Sequence, residues 1–131
     1  MRVVLDTNVY ISSLVFKGKA REVYDYCIET SDVFTSDFIM GELSEKLYLK
    51  FDYPKASTRN LIKSILSVVE KRKPHTKRPN ICRDMDDNYI LQLCESVSAN
   101  YLITGDKDLL ILKNFKQTEI ISPVAFIANL V

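Results

Sequence analysis

The chain is short of the residues on which much protein chemistry relies. It holds one histidine, His75, in 131 residues. A histidine-based metal site and a Ser-His-Asp triad therefore have little support, and His75 itself lies among lysines and prolines, as a solvated loop residue does. The three cysteines, Cys27, Cys82 and Cys94, are an odd number and show no C-x-x-C spacing. That argues against a disulfide framework or a zinc site and for a reducing cytoplasm. No apolar stretch approaches the ~20 residues that cross a bilayer. Met1-Arg2 leads straight into a strand pattern without a signal-peptide signature, so a soluble, cytoplasmic protein with no membrane association is expected. The formal net charge is only +1, and charge balance alone points to no particular partner.

What is present is ordinary for a globular chain: 47% hydrophobic and 27% charged residues, within the usual range. The length fits one domain, residues 1–131, with a core of its own. Val3-Val4-Leu5 is a continuous apolar run, the mark of a strand buried on both faces. A short helical pattern follows from Thr7 to about Phe16, broken by Lys17-Gly18-Lys19. Ala20, Val23, Tyr24, Cys27 and Ile28 then recur at helical spacing. A second strand is predicted over 32–35, and a helix capped by Ser36 or Asp37 runs to about Lys50. Pro54 ends it. Leu61, Ile62, Ile65, Leu66 and Val69 predict an amphipathic helix over 57–70.

Residues 71–83, "KRKPHTKRPNICR", hold two prolines and six basic residues with no acid; they predict a loop. Asp86 or Asp87 opens the next helix, to about Ser98. "YLIT" is a third strand, with a turn at Gly105-Asp106 and a helical turn near 109–112. "EIIS" is the last strand, and Pro123 opens a C-terminal helix. Strands alternating with helices predict a three-layer α/β/α sandwich on a mainly parallel sheet.

In such a sheet, sites form outside the C-terminal strand ends. Asp6 follows the first strand, Asp37 the second and Asp106 the third. Glu42 sits on the helix entered from the second strand, and Asp87 in the first turn of the helix leading to "YLIT". Each has a bland alternative: a helix cap for Asp6, a solvated face for Glu42 (as for Glu45), dipole-favoured acids for Asp84, Asp86 and Asp87, turn residues for Asp106 and Asp108. Their joint order at strand ends is harder to dismiss. Oxygen donors without nitrogen or sulfur suit Mg²⁺ or Mn²⁺, and crowded carboxylates repel unless a cation sits among them.

"VVLDTNVYISSL", "TSDFIMGEL", "RDMDDNYIL" and "YLITGDKDLL", in this order and over nearly the whole chain, resemble the PIN domain. The likeness is to bacterial and archaeal single-domain PIN proteins that serve as toxins of toxin–antitoxin pairs (VapC-like ribonucleases). The resemblance implies a nuclease whose acids bind one or two divalent ions, Mg²⁺ or Mn²⁺. Carried over by motif, Asp6, Glu42, Asp87 and Asp106 are its metal and catalytic acids, with Asp84 and Asp108 as further candidates. Asn8, Ser36 and Thr104 would orient carboxylates, ligands or a water. The substrate implied is RNA, cut to 5′-phosphate and 3′-hydroxyl ends. The partners implied are a small antitoxin protein and a second copy of the chain, a homodimer.

The basic loop reads either as a solvated connector or as a phosphate contact made by Lys71, Arg72, Lys73, Lys77, Arg78 and Arg83, which would give affinity without sequence choice. Two rival readings remain. A haloacid-dehalogenase-like phosphatase needs a second aspartate two residues after the first, where this chain has Asn8. A catalytically silent PIN module that binds RNA or a protein partner would keep the same acids.

Overall fold

The computed structural model describes residues 1–130. Four-residue β1 (Arg2–Leu5) is central in a six-stranded sheet. Val3, Val4 and Leu5 are all completely buried. Successive side chains on a strand point to opposite faces, so both faces of β1 are covered, as the unbroken apolar run requires. The chain then enters α1 (Thr7–Ile11), which widens into a π turn over Ser12–Phe16, closed by a bond from the Lys17 N–H to the Ser12 carbonyl at 2.7 Å. Lys17 and Gly18 both take positive φ, 63° and 65°, a sharp reversal that separates this segment from α2 (Gly18–Thr30).

β2 (Asp32–Thr35) pairs parallel with β1, and Ser36 caps α3 (Asp37–Lys50) by accepting from the Ile39 N–H at 3.3 Å. α4 covers Lys55–Leu66. It starts two residues before the expected 57 and ends four before 70. Glu70–Lys71 is not helix: it is β3, a two-residue edge strand paired parallel with β2. The apolar stripe extends to Val69 because that residue packs into the core from the turn between α4 and β3.

The chain returns across the sheet to α5 (Met85–Ser96) and β4 (Tyr101–Ile103), which lies parallel to β1 on the side away from β2. α6 (Lys107–Leu110) begins two residues earlier than its apolar residues suggested, because Asp106 caps it. A hairpin follows: β5 (Asn114–Phe115) runs antiparallel to β6 (Thr118–Ile121), which pairs parallel with β4. Pro123 opens α7 (Pro123–Ala128), capped by Ser122.

The strand order is β3-β2-β1-β4-β6-β5. From β1 the chain winds outward to β3, then crosses back to β4 and winds the other way. The reversal falls between β1 and β4. At such a point the connections leave in opposite directions and open a crevice beyond the C-terminal strand ends. Asp6 and Thr104 are the first residues past those two ends.

Candidate metal and catalytic centre

Asp6 is 4% exposed. Its backbone N–H continues the sheet by bonding to the Ile103 carbonyl at 3.0 Å, and its own carbonyl accepts from Val9 as α1 begins. Its side chain does not cap that helix. Besides the Thr7 backbone N–H, the carboxylate meets the residue just past β4: Thr104 Oγ1 donates to Asp6 Oδ2 at 2.7 Å. The same Thr104 oxygen accepts from the Asp106 N–H at 3.0 Å. One buried hydroxyl thus ties the two central strand ends together.

Burial raises the Asp6 pKa above the ordinary carboxylate value, as does the Asp106 charge; the Thr104 bond, the Thr7 backbone N–H and Lys46 oppose the rise. Glu42, half-buried on α3, is likewise raised by burial and by Asp6 and Asp86, against the bond it accepts from Thr7 Oγ1 at 2.7 Å and against Lys46. Asp87 is raised as well. Burial pushes it up to about 7, followed by the charge of Asp106, a hydrogen bond with it, and the charges of Asp6 and Asp84. Its Oδ2 is buried with no hydrogen-bond partner. An unpaired buried carboxylate oxygen is costly, and in a nest of acids the group tends to keep its proton.

The sheet edge therefore brings Asp6, Glu42, Asp87 and Asp106 into one electrostatic neighbourhood. It does not close them into a cage: among the described residues, no three His, Cys, Asp or Glu side chains gather into a ready metal-binding cluster. All four acids offer hard oxygen donors, and an ion such as Mg²⁺ keeps several waters and takes only one or two carboxylates directly. An open edge with an orphaned Asp87 oxygen fits an ion of that kind. It would not suit a four-ligand structural zinc.

The other predicted residues divide. Asp37 is exposed and paired with Lys71 at 3.0 Å, away from the group. Asp84 turns inward on its own chain, capping α5 through the Asp86 N–H at 2.9 Å. Asp108 is held by Arg83, Nη2 to Oδ1 2.7 Å. Ser36 is occupied as the α3 cap, and Asn8, exposed, accepts from Lys46 Nζ at 3.4 Å. Of the three residues expected to orient the acids, only Thr104 bonds one directly.

Three contributors escaped the sequence reading. Thr7 fixes Glu42; Lys46, one turn after Glu42, lends it a positive charge; and Asn88 takes the Ile81 and Cys82 N–H groups at 3.2 and 3.0 Å on its Oδ1. Thr7 and Asn88 left a trace, as the middle residue of "DTN" and the asparagine of "RDMDDNYIL"; Lys46 left none.

Residues 2–108 match the sequence profile of the PIN domain. The chain belongs to the PIN-domain family. An uncharacterized protein of Methanocaldococcus jannaschii is 35% identical over 120 residues, covering 87% of this chain and 76% of that one. The PIN fold also recurs in solved structures at low identity. VapBC2 from Rickettsia felis, bound to a DNA fragment from its promoter, aligns with TM-score 0.69 at 13% identity, over 93% of this chain and 98% of that one. VapBC-1 from nontypeable Haemophilus influenzae gives 0.68 at 16%, over 95% and 99%. VapC20 of Mycobacterium tuberculosis, a sarcin-ricin loop cleaving toxin, gives 0.64 at 13%, over 89% and 98%.

The basic loop of this PIN chain is better ordered than its composition suggested. Lys71 belongs to β3; Arg72 pairs with Glu70 and lies over the Phe34 ring at 5.1 Å. The His75 and Thr76 N–H groups bond to Ser96 Oγ, and Gln92 Nε2 bonds to the Thr76 carbonyl at 2.6 Å. Arg78 stands over Tyr89 at 4.5 Å, and Tyr89 stacks on Phe38 at 4.6 Å. The segment is strapped along α5. Among the described residues, Lys73 and Lys77 form no ion pair.

Proposed function

We propose that this PIN-domain protein is an endoribonuclease that depends on Mg²⁺ or Mn²⁺, and that it is the toxin of a toxin–antitoxin pair. The observation that carries the nuclease reading is the grouping of Asp6, Glu42, Asp87 and Asp106 at the switch point, with the Asp87 oxygen buried and unpartnered. Family membership supports the same reading, as does the fold shared with VapC20, a toxin that cleaves RNA. The VapBC likenesses support an antitoxin partner. A homodimer and a cytoplasmic location complete the proposal; among the described residues no helix is long and apolar enough to cross a membrane.

Asp6, Glu42, Asp87 and Asp106 would hold one or two ions. A bound divalent ion supplies Lewis acidity to the phosphoryl oxygens and makes a water acidic enough to attack at neutral pH. The chain's own residues prepare for it. Thr104 fixes the Asp6 carboxylate and Thr7 that of Glu42 before anything binds, so little ordering remains to be done. Asp87, its pKa pushed up to about 7, carries a proton part of the time, and would give it up to serve as a ligand to a bound cation. Lys46 partly neutralises Asp6 and Glu42. Arg83, at the rim, is available to a phosphate, and Asp108 is its anchor rather than a metal ligand.

Incubation of purified protein with mixed RNA in Mg²⁺, in Mn²⁺ and in EDTA tests the reading. Cleavage in either ion and none under chelation is expected. Cleavage that survives chelation in a preparation free of contaminating nuclease would overturn the metal role. No cleavage under any condition would leave a binding module in its place.

A further inference from the structure

Beside α5, the strapped loop and the β5–β6 hairpin line an open cleft of about 500 Å³. Its walls sort into two chemistries. Lys77 and Arg78 from the loop, and Lys116 from the hairpin turn, supply positive charge; Pro79, Ile81 and Phe115 supply apolar surface. Asn80 adds an amide. The one acid, Glu95, lies 4.0 Å from Lys116 and is partly answered by it. Ile81 is 56% exposed, a β-branched aliphatic held in solvent within an otherwise basic, polar segment.

The cleft is prebuilt. Thr76 is bonded to Gln92 and Ser96 at one end, Ile81 and Cys82 to Asn88 at the other, and Arg78 is pinned over Tyr89 between them. A plain connector needs no such straps, whereas a binding wall gains from being ordered in advance. The volume lies within the range of small-ligand pockets, large enough for one nucleotide. Apolar faces flanked by cations match a base flanked by phosphates, the combination that single-strand binding sites use.

We infer that this cleft receives one unpaired nucleotide of the RNA strand, its base against Ile81 and Phe115 and its phosphates toward Lys77 and Lys116. The inference rests on the ribonuclease reading and adds a subsite to it. The wall that ends at Ile81 continues through Cys82 to Arg83, which pairs with Asp108 beside Asp106, so a strand seated here is led to the acids. Arg78 shapes the wall, with one face of its guanidinium already committed to Tyr89.

The test is equilibrium binding of a fluorescent single-stranded RNA decamer in EDTA, where no cut occurs, with the matching duplex as control. Four proteins are compared: wild type, Ile81→Ser, Phe115→Leu, and Lys77→Gln with Lys116→Gln. Ile81 is exposed, so Ile81→Ser should fold even where Phe115→Leu does not, and melting curves check each. Wild type should prefer the single strand. The apolar variants should bind about fivefold or more weakly, the low end of base stacking, with an unchanged salt dependence. The lysine variant should lose about 0.7 in logarithmic salt slope per removed charge.

Equal affinities for all four proteins would overturn the inference. So would a duplex bound as tightly as the single strand, or a polyglutamate peptide competing equally well. Cleavage by wild type in Mn²⁺ is scored separately. Absent cleavage with the binding pattern intact would sink the nuclease reading and leave the nucleotide pocket standing.

Discussion

The hydroxyl of Thr104 donates to Asp6 Oδ2 at 2.7 Å and accepts from the Asp106 N–H at 3.0 Å, so a single completely buried side chain joins the ends of β1 and β4. Hydrogen bonds to a charged group contribute more than neutral ones, and the loss of a buried partner costs more than the bond itself gave. Thr104→Val keeps shape and removes both contacts. It is expected to lower stability by about 1–3 kcal/mol in chemical denaturation, and to raise the Asp6 pKa further. Thr104→Ser, which retains the hydroxyl, should restore most of the loss. A valine variant as stable as wild type would show that the hydroxyl does not organise the edge.

The raised pKa values of Asp6, Glu42 and Asp87 give the metal-free protein a definite pH dependence. Folded Asp87 titrates near 7, and in the unfolded chain it titrates near the ordinary value of about 3.9. Between the two, the folded state binds more protons than the unfolded state. Stability in EDTA should therefore fall as pH rises from about 4 through 7, the direction set by linkage. Asp6 and Glu42 act with the same sign. Asp87→Asn removes one of these contributors. Denaturation midpoints at pH 5 and pH 8 should differ less for the variant than for wild type, with the variant the more stable at pH 8. Parallel pH profiles for the two proteins would contradict the crowding of these acids.

Much of this was legible in the residues themselves. Val3-Val4-Leu5 announces a strand covered on both faces because alternation is absent, and Asp6, Thr104 and Asp106 fall at strand ends because the apolar runs stop there. What the pattern could not give was pairing. Glu70–Lys71 is too short and too polar to read as a strand; it becomes one only because β2 has a free edge. Asn114–Phe115 is likewise made by its antiparallel pairing with β6. The identity of each acid's partner was also hidden. Nothing local says that Asp108 meets Arg83, 25 residues earlier, or that Thr104 serves Asp6; the Ser36 cap of α3, by contrast, was legible as a local pattern. The ordering of the basic loop, which read either as a solvated connector or as a phosphate contact, was hidden because its straps lie on α5, in Asn88, Gln92 and Ser96, whose polarity reads as solvent exposure.

Asn88 offers a direct check on those straps. Its Oδ1 accepts from both Ile81 and Cys82, and it is completely buried next to Asp87. Asn88→Ala should release both amides and cost about 1–3 kcal/mol where a group is left without a partner. Hydrogen exchange at Ile81 and Cys82 should accelerate well beyond that of the core strands, while β1 and β4 remain protected. Unchanged exchange at both amides would show that the loop is held by something other than this side chain.

The central claim is that the acids at the switch point form a divalent-metal site, and thermal melting of wild type and Asp6→Asn, each in EDTA and in Mn²⁺, tests it most directly. Removing one charge from a crowded group relieves repulsion, so the variant should melt at or above wild type in EDTA. An ion that binds only the folded state adds RT ln(1 + [M]/Kd), about 2.7 kcal/mol at a hundredfold excess over Kd. Wild type should gain clearly from Mn²⁺ and the variant little. If Asp6→Asn instead melts well below wild type in EDTA and both gain equally from Mn²⁺, Asp6 supports the fold alone and the metal site lies elsewhere.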